Sequence, residues 1–434
     1  MTTESPHTAE SEHEPPGGAV RVIARLLRSN YTLWLVTVAA VGGAVAWGAL
    51  SEQRSFLDKD EAIYLRVIRM FDAHPSLEFL RDYGGEPASP APVFFIVYAG
   101  VGRLFGTSVT VFRVLSLVLT LLALACVSLF LRHRADGEQR DHFPLLLFLF
   151  PYIFGMAFSV MAEPLTLFVT VVGLCCFLHG LERGANRWLL VGSLALAVAL
   201  HVRIHAIFVP AALCVVLLLR RDRSVYRWCL ALAPVVARVP LVLLQGGLTV
   251  NRAAFEGTKP ELGFCLSHIN FFLVWFGYVF FPLLWWCRGR RWINLAAAVA
   301  LLPFYALATP NFLGPEHYGA MRTFFIRFGI DLASAQWMML PVWFAGCYMT
   351  VDLVQRVVAS AEIQERFLGA CVVMAMVSLV FSTVVFERYY QLVVPVIVLL
   401  GVARTHRPSG YVAWLVCHMM FLILAAARLA KDLV

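Results

Sequence analysis

Charge is what this 434-residue chain has least of: Asp, Glu, Lys and Arg make up 14% of it, against 60% hydrophobic residues. With a mean hydropathy of +0.76, so little charge excludes a soluble globular protein. No Cys-x-x-Cys pair occurs, and the ten cysteines are scattered, all but Cys265 in apolar runs. They read as small buried hydrophobes, with neither a disulfide framework nor a zinc site. A Walker A loop is missing, which argues against an ATP-driven pump on this chain alone. Missing too are an inverted repeat and a pair of interrupted spans in matching halves, the sequence pointers to a secondary transporter. The formal net charge of +8 does not argue for nucleic acid, because in a polytopic membrane protein a basic excess reflects cytoplasmic loops and anionic headgroups.

What is present is a succession of apolar runs. Residues 1–20, rich in Glu, His, Pro and Ser, are expected to form a disordered cytoplasmic tail, and 21–434 a single membrane domain. Arg21, Arg25 and Arg28 precede the run Tyr31 to Leu50, which is long enough to span a bilayer with its amino end inside. Ala44-Val45-Ala46 has the small-x-small form of a signal-peptide cleavage site, but the length of the run favours an uncleaved helix. Further runs near 109–131, 142–160, 164–181, 188–205, 206–220, 228–246, 267–287, 292–308, 334–351, 366–385, 391–404 and 411–428 predict an all-α polytopic bundle of about 13 helices. On this layout basic residues concentrate in short cytoplasmic loops. The longer loops 51–108, 247–266 and 309–333 fall on the opposite face, and polar chemistry gathers there.

The stretch Phe56 to Phe71 opens the first of those loops. Ile63, Val67, Met70 and Phe71 recur at helical spacing while Arg66 and Arg69 share another side, the pattern of an amphipathic helix lying along a membrane surface. Asp58 and Glu61 have capping-box spacing. Asp60 is left without a structural role, and a carboxylate near a helix start at a membrane interface is a candidate for chemistry. Later in the loop, Val93 to Phe105 is short for a span and carries Arg103, so it reads as interfacial or re-entrant.

Four other constellations fall on the outer face. Glu163 precedes Pro164 at a turn between apolar runs; it reads equally as a helix cap or as a carboxylate that must meet water, a partner or a ligand. His201-Val202-Arg203-Ile204-His205 interrupts an apolar stretch. Arg203 there suits a lipid phosphate or simple snorkelling, and His201 and His205 would share a face if the helix continued. Glu387-Arg388-Tyr389-Tyr390 reads as an aromatic belt with a charge anchor or as a second phosphate clamp. The segment Thr309 to Asp331 carries Glu316 and His317, which with His205 are candidates for substrate contact.

Taken in order, Asp60-Glu61 after the first span, Pro90-Ala91-Pro92-Val93-Phe94-Phe95, Leu104-Phe105-Gly106 followed by Arg113, Ala162-Glu163-Pro164-Leu165, and Arg388-Tyr389 with Pro395 resemble the polyprenyl-phosphate-sugar glycosyltransferases of the GT-C class. The aminoarabinose transferases and protein O-mannosyltransferases are of this kind. The resemblance covers roughly the first 210 residues and then the late Arg-Tyr motif. It implies a GT-C-like bundle with interfacial helices in the first extracytoplasmic loop, and an inverting transfer of sugar from an isoprenoid phosphate to a lipid, glycan or protein on the extracytoplasmic side of the plasma (inner) membrane. It implies catalytic roles for Asp60, Glu61 and Glu163 and donor-phosphate binding by Arg203, Arg388 and Tyr389. No tightly bound cofactor is implied. Should a divalent metal take part, Glu163 and Asp60 would be its carboxylates. A lipid or glycan transporter is the reading from another class. The chain departs from many relatives at Ala91, where they carry a charged residue.

Overall fold

The structure is a computed structural model that describes residues 43, 58–86, 90–132, 147–148, 150–246, 264–281, 284, 287, 291–314, 317–382 and 385–402. The expectations for the tail 1–20, the spans 31–50 and 411–428, most of the loop 247–266, and Glu316 lie outside those residues. Among the described residues the chain is helical apart from one pair of two-residue strands.

The first loop is a folded piece. Helix α1 (Asp58–Ala73) buries Glu61, Tyr64, Val67 and Ile68 on one face and leaves Arg66 and Arg69 exposed. Its buried face therefore centres on Tyr64 and Ile68, while Ile63, Met70 and Phe71 are only partly covered. Ser76 caps α2 (Leu77–Asp82) by accepting the Phe79 N–H at 3.1 Å. The chain then reverses through Tyr83, Gly84 and Gly85, all at positive φ; glycine makes two of these three positions free of strain. Pro92 opens α3 (Pro92–Phe105), where its missing N–H is no loss. Helix α3 packs Phe94, Phe95, Tyr98 and Ala99 into a core with α1 and Phe112. Tyr64, Phe94, Phe95 and Tyr98 make edge-on or tilted ring contacts, and each fully buried aromatic contributes roughly 1.5–3 kcal/mol of apolar burial.

Among the described residues, five helices are long and apolar enough to cross a membrane: α4 (Val109–Leu131), α6 (Glu163–Arg183), α9 (Val225–Gln245), α14 (Leu332–Ala359) and the segment Ile363–Phe381, whose α-helical part is α15 (Ile363–Ser378). Several other expected spans are shorter apolar helices, among them α7 (Asn186–Leu200), α8 (Phe208–Leu219) and α10 (Ser267–Phe280). With its composition, this makes the chain a polytopic integral membrane protein. Within the expected span 142–160, the described helix is the short α5 (Pro151–Ala157).

Close packing of small residues joins the spans. A Cβ on Gly173 of α6 would lie 2.5 Å from Leu196 Cγ of α7, and one on Gly180 would lie 2.8 Å from Leu189 Cδ2. These contacts run in opposite directions along the two helices, so α6 and α7 are antiparallel. In α10 and α14, Gly277 and Gly346 bring the two backbones into direct contact. Membrane helices associate mainly through such van der Waals fit, because lipid supplies little hydrophobic drive.

The remaining described elements are α11 (Arg291–Ala300), α12 (Leu302–Leu307), β1 (His317–Tyr318), α13 (Ala320–Arg327), β2 (Val385–Phe386) and α16 (Val394–Val402). Strands β1 and β2 pair in parallel, His317 with Val385 and Tyr318 with Phe386. That pairing, with the bond from Met321 N–H to Glu387, brings residues 317–321 against the start of the turn Glu387–Leu392.

Candidate active site

Three breaks in the helical pattern build the site. Helix α7 ends at His201, and Arg203 adopts an extended backbone before the short turn Ile204–Ile207. Two amides of the first loop hold the break open: Ala91 N–H bonds Val202 O at 3.0 Å, and Val93 N–H bonds His201 O at 3.3 Å. Glu163 is the first residue of α6, aligned by Pro164 behind it. Arg388 and Tyr389 sit in the 3-10 turn Glu387–Leu392.

These breaks place four charged groups together. Glu163 Oε1 accepts from Arg203 Nη2 at 2.9 Å and lies 3.6 Å from Arg388 Nε. Arg388 Nη1 meets Asp60 Oδ2 at 2.8 Å. Arg203 Nη2 also donates to the Tyr64 hydroxyl at 3.2 Å. Both guanidinium carbons lie 5.9 Å from the centre of the Tyr389 ring, within cation–π range. Glu163, Arg203 and Arg388 are buried, whereas the Asp60 side chain keeps 38% of its exposure. Glu163 Oε2 has no hydrogen-bond partner among the described residues. A cavity runs between Glu163, Thr166, Arg203, His205, Arg388 and Tyr389, closed by Gln391 and Leu392.

Burial pushes the Tyr64 and Tyr389 hydroxyls above their ordinary range, against the pull of Arg203 and Arg388, so both stay protonated donors. At Arg388 burial opposes the charge, but the neighbouring carboxyl groups of Glu163 and Asp60 outweigh it and hold the guanidinium firmly protonated. The site is thus a permanent pair of cations with two carboxylates against them.

Several expectations change here. Asp60 has a structural partner after all, Arg388. Glu61 is not a capping residue: its carboxylate is buried, takes Arg113 Nε and Nη2 at 3.0 and 3.2 Å, and accepts the Val160 N–H at 3.0 Å. It fastens α1 to α4 and to the chain just ahead of Glu163, and does not border the cavity. His201 and His205 do not share a helix face. His201 Nδ1 bonds the Ala197 carbonyl at 2.8 Å, and His205 stacks on Tyr389 with ring centres 4.0 Å apart. His317 lies outside the cavity lining, against Phe271 and His268. Among the described residues no three His, Cys, Asp or Glu side chains gather as metal ligands do. The two carboxylates named for a metal are both turned onto arginines, leaving Glu163 Oε2 as the buried oxygen still open.

Sequence reasoning missed Tyr64, Thr166 and Gln391. The signal was spacing, since Tyr64 follows Asp60 by four and Thr166 follows Glu163 by three, one helix face each. Gln391 follows Arg388 by three in a 3-10 turn, where such residues eclipse.

No protein-family model matches the sequence, and no curated protein matches it. Among solved structures, ArnT from Cupriavidus metallidurans bound to undecaprenyl phosphate aligns with a TM-score of 0.41 and 18% identity, over 92% of this chain and 78% of that one. The same protein in its apo state aligns with a TM-score of 0.41, 17% identity and the same coverage.

Proposed function

We propose that the chain is a polyprenyl-phosphate-sugar glycosyltransferase whose donor phosphate binds at Arg203 and Arg388. One observation carries the reading: two buried arginines from distant parts of the chain converge on a cavity and share Glu163 Oε1, and one of them, Arg388, holds a partly exposed carboxylate, Asp60. Planar guanidinium groups suit bidentate binding of phosphate oxygens. The solvated edge suits an incoming acceptor hydroxyl.

In the reaction Asp60 takes the proton of that hydroxyl as its oxygen attacks the anomeric carbon. The carbon–oxygen bond to the isoprenyl phosphate breaks with inversion, and the two arginines receive the charge that develops on the leaving phosphate. The Tyr64 hydroxyl and the Tyr389 ring hold the guanidinium groups in place. Glu163 neutralises the clamp before the donor arrives, and its open Oε2 accepts a hydrogen bond from the sugar. Glu61 acts through position alone, by anchoring the helix that carries Asp60. The site would face the extracytoplasmic side, with a lipid, glycan or protein acceptor approaching from the first loop.

The test is binding of a short-chain isoprenyl phosphate to purified protein, followed by transfer from a panel of isoprenyl-phosphate sugars. Arg203→Lys and Arg388→Lys keep the charge but lose the fork, so each should weaken isoprenyl-phosphate binding about tenfold or more. Unchanged affinity in both variants would reduce the arginines to membrane anchors. Tight binding with no transfer from any sugar would instead favour a lipid transporter.

A further inference from the structure

Glu387 is buried yet does not border the cavity. Its Oε2 accepts from the Tyr152 hydroxyl of α5 at 2.8 Å, and its Oε1 accepts the Met321 N–H in the first turn of α13 at 2.9 Å. A Cβ on Gly319 would overlap the same carboxyl group, so glycine is required for the segment to come this close. The residues just before Glu387 pair with His317 and Tyr318. The residue just after it is Arg388, bonded to Asp60 and facing Glu163. One carboxylate therefore joins α5, the segment 309–331 and the turn carrying half of the phosphate clamp. A buried carboxylate is costly without donors, and here the donors come from two elements far from Arg388 in sequence.

We propose that Glu387 is a positioning residue for donor binding: it latches residues 317–327 onto the turn of Arg388 and Tyr389, so that docking of these residues and placement of the guanidinium are a single event. This rests on the phosphate-clamp reading of Arg388. The seating of residues 317–327 then sets donor affinity through the placement of Arg388.

Glu387→Ala removes both bonds. Glu387→Gln keeps them, because the amide oxygen can accept the Met321 N–H and the amide nitrogen can donate to the Tyr152 hydroxyl. Tyr152→Phe removes one. Amide hydrogen exchange of residues 317–327 in ligand-free purified protein should quicken about tenfold in Glu387→Ala, less in Tyr152→Phe, and return to the wild-type rate in Glu387→Gln. The Kd for a short-chain isoprenyl phosphate should rise about tenfold in Glu387→Ala, with the Glu387→Ala/Arg388→Lys double variant little worse than Arg388→Lys alone. Unchanged exchange would overturn the latch whether or not the chain is a transferase. Quickened exchange with fully additive binding losses would overturn the coupling to Arg388. If Glu387→Ala does not fold, Tyr152→Phe carries both measurements. A wild-type protein that does not bind isoprenyl phosphate would sink the proposed function, while the exchange data alone would still decide the latch.

Discussion

Replacing the chain neighbours Asp60 and Glu61 by their amides should separate catalysis from stability. Asp60 keeps 38% of its side-chain exposure and meets the buried Arg388 at 2.8 Å; because water screens the carboxylate and Arg388 keeps Glu163 as a second counter-charge at 3.6 Å, losing the Asp60 charge costs about 1 kcal/mol. The amide introduced by Asp60→Asn still offers an oxygen to Arg388, so the fold should hardly notice the change. What is lost is the proposed proton acceptor, a term of roughly a hundred- to ten-thousandfold in rate, or about 2.7 to 5.4 kcal/mol in the barrier. Glu61 is the reverse case: it is 1% exposed and receives three hydrogen bonds, two of them from Arg113. A Gln there turns an N–H group toward a donor and leaves the Arg113 charge buried without its counter-charge. Breaking such a pair costs about 3–5 kcal/mol, a large share of the roughly 5–15 kcal/mol that holds a typical domain folded. Thermal unfolding in detergent, and transfer rates measured at matched amounts of folded protein, check both halves. Asp60→Asn should unfold like wild type and transfer very slowly, while Glu61→Gln should unfold early yet turn over normally once folded. Near-normal transfer by Asp60→Asn would move the base to Glu163. An Asp60→Asn protein less stable than Glu61→Gln would refute the assignment of structural weight to Glu61.

Two further outcomes follow from packing. His317 is pushed down to about 3, first by burial and then by its neighbour His268, so it is neutral when docked and basic at its ordinary value, about 6.5, when released. Its contribution to docking of 309–331 is complete above about pH 6.5 and fades as the pH falls toward 3; the loss between pH 7 and 5 is about 2 kcal/mol. Hydrogen exchange of that segment at the two pH values should show the loss in wild type and not in His317→Phe, and equal acid sensitivity in both would assign the effect to another group. A Cβ on Gly192 would press into the Phe177 ring and lie 3.1 Å from Gly173 O. Gly192→Ala should therefore destabilise by about 1–3 kcal/mol, and an unaltered unfolding midpoint would mean that α6 and α7 can part at little cost.

Much of the site could be read from the chain because charge is scarce in it. In a sequence this apolar, Asp60, Glu163, Arg203 and Arg388 stand out as groups that must find water, a partner or a ligand, and the structure brings all four together. Local rules failed where pairing was long-range. Nothing near Glu61 announces Arg113, since the bond depends on how α1 lies across α4, and the capping spacing of Asp58 and Glu61 offered a nearer explanation. The run Val93 to Phe105, too short for a span, likewise does not announce its partners, since its aromatic residues fit a core that only the folded first loop supplies. His317 was grouped with the acceptor-facing residues by position in the loop, but its pairing with Val385 and its packing on Phe271 turn it inward.

The break at His201 to Arg203 has a consequence for how a lipid could reach the clamp. A membrane helix that stops short leaves carbonyls with no amide a turn ahead, and here two of them, His201 O and Val202 O, are covered by amides on either side of Pro92. The first loop is in that sense the solvent of the broken helix. Lifting it away would bare both carbonyls, at about 1–3 kcal/mol each, so a first loop swung clear would be held to a population of roughly one in thirty to one in twenty thousand. The first loop therefore stays seated on the broken helix nearly all the time. Residues 317–327 are no looser a wall, since their release breaks the Met321 bond to Glu387 and the strand pairing and bares the buried His317, Met321 and Phe325.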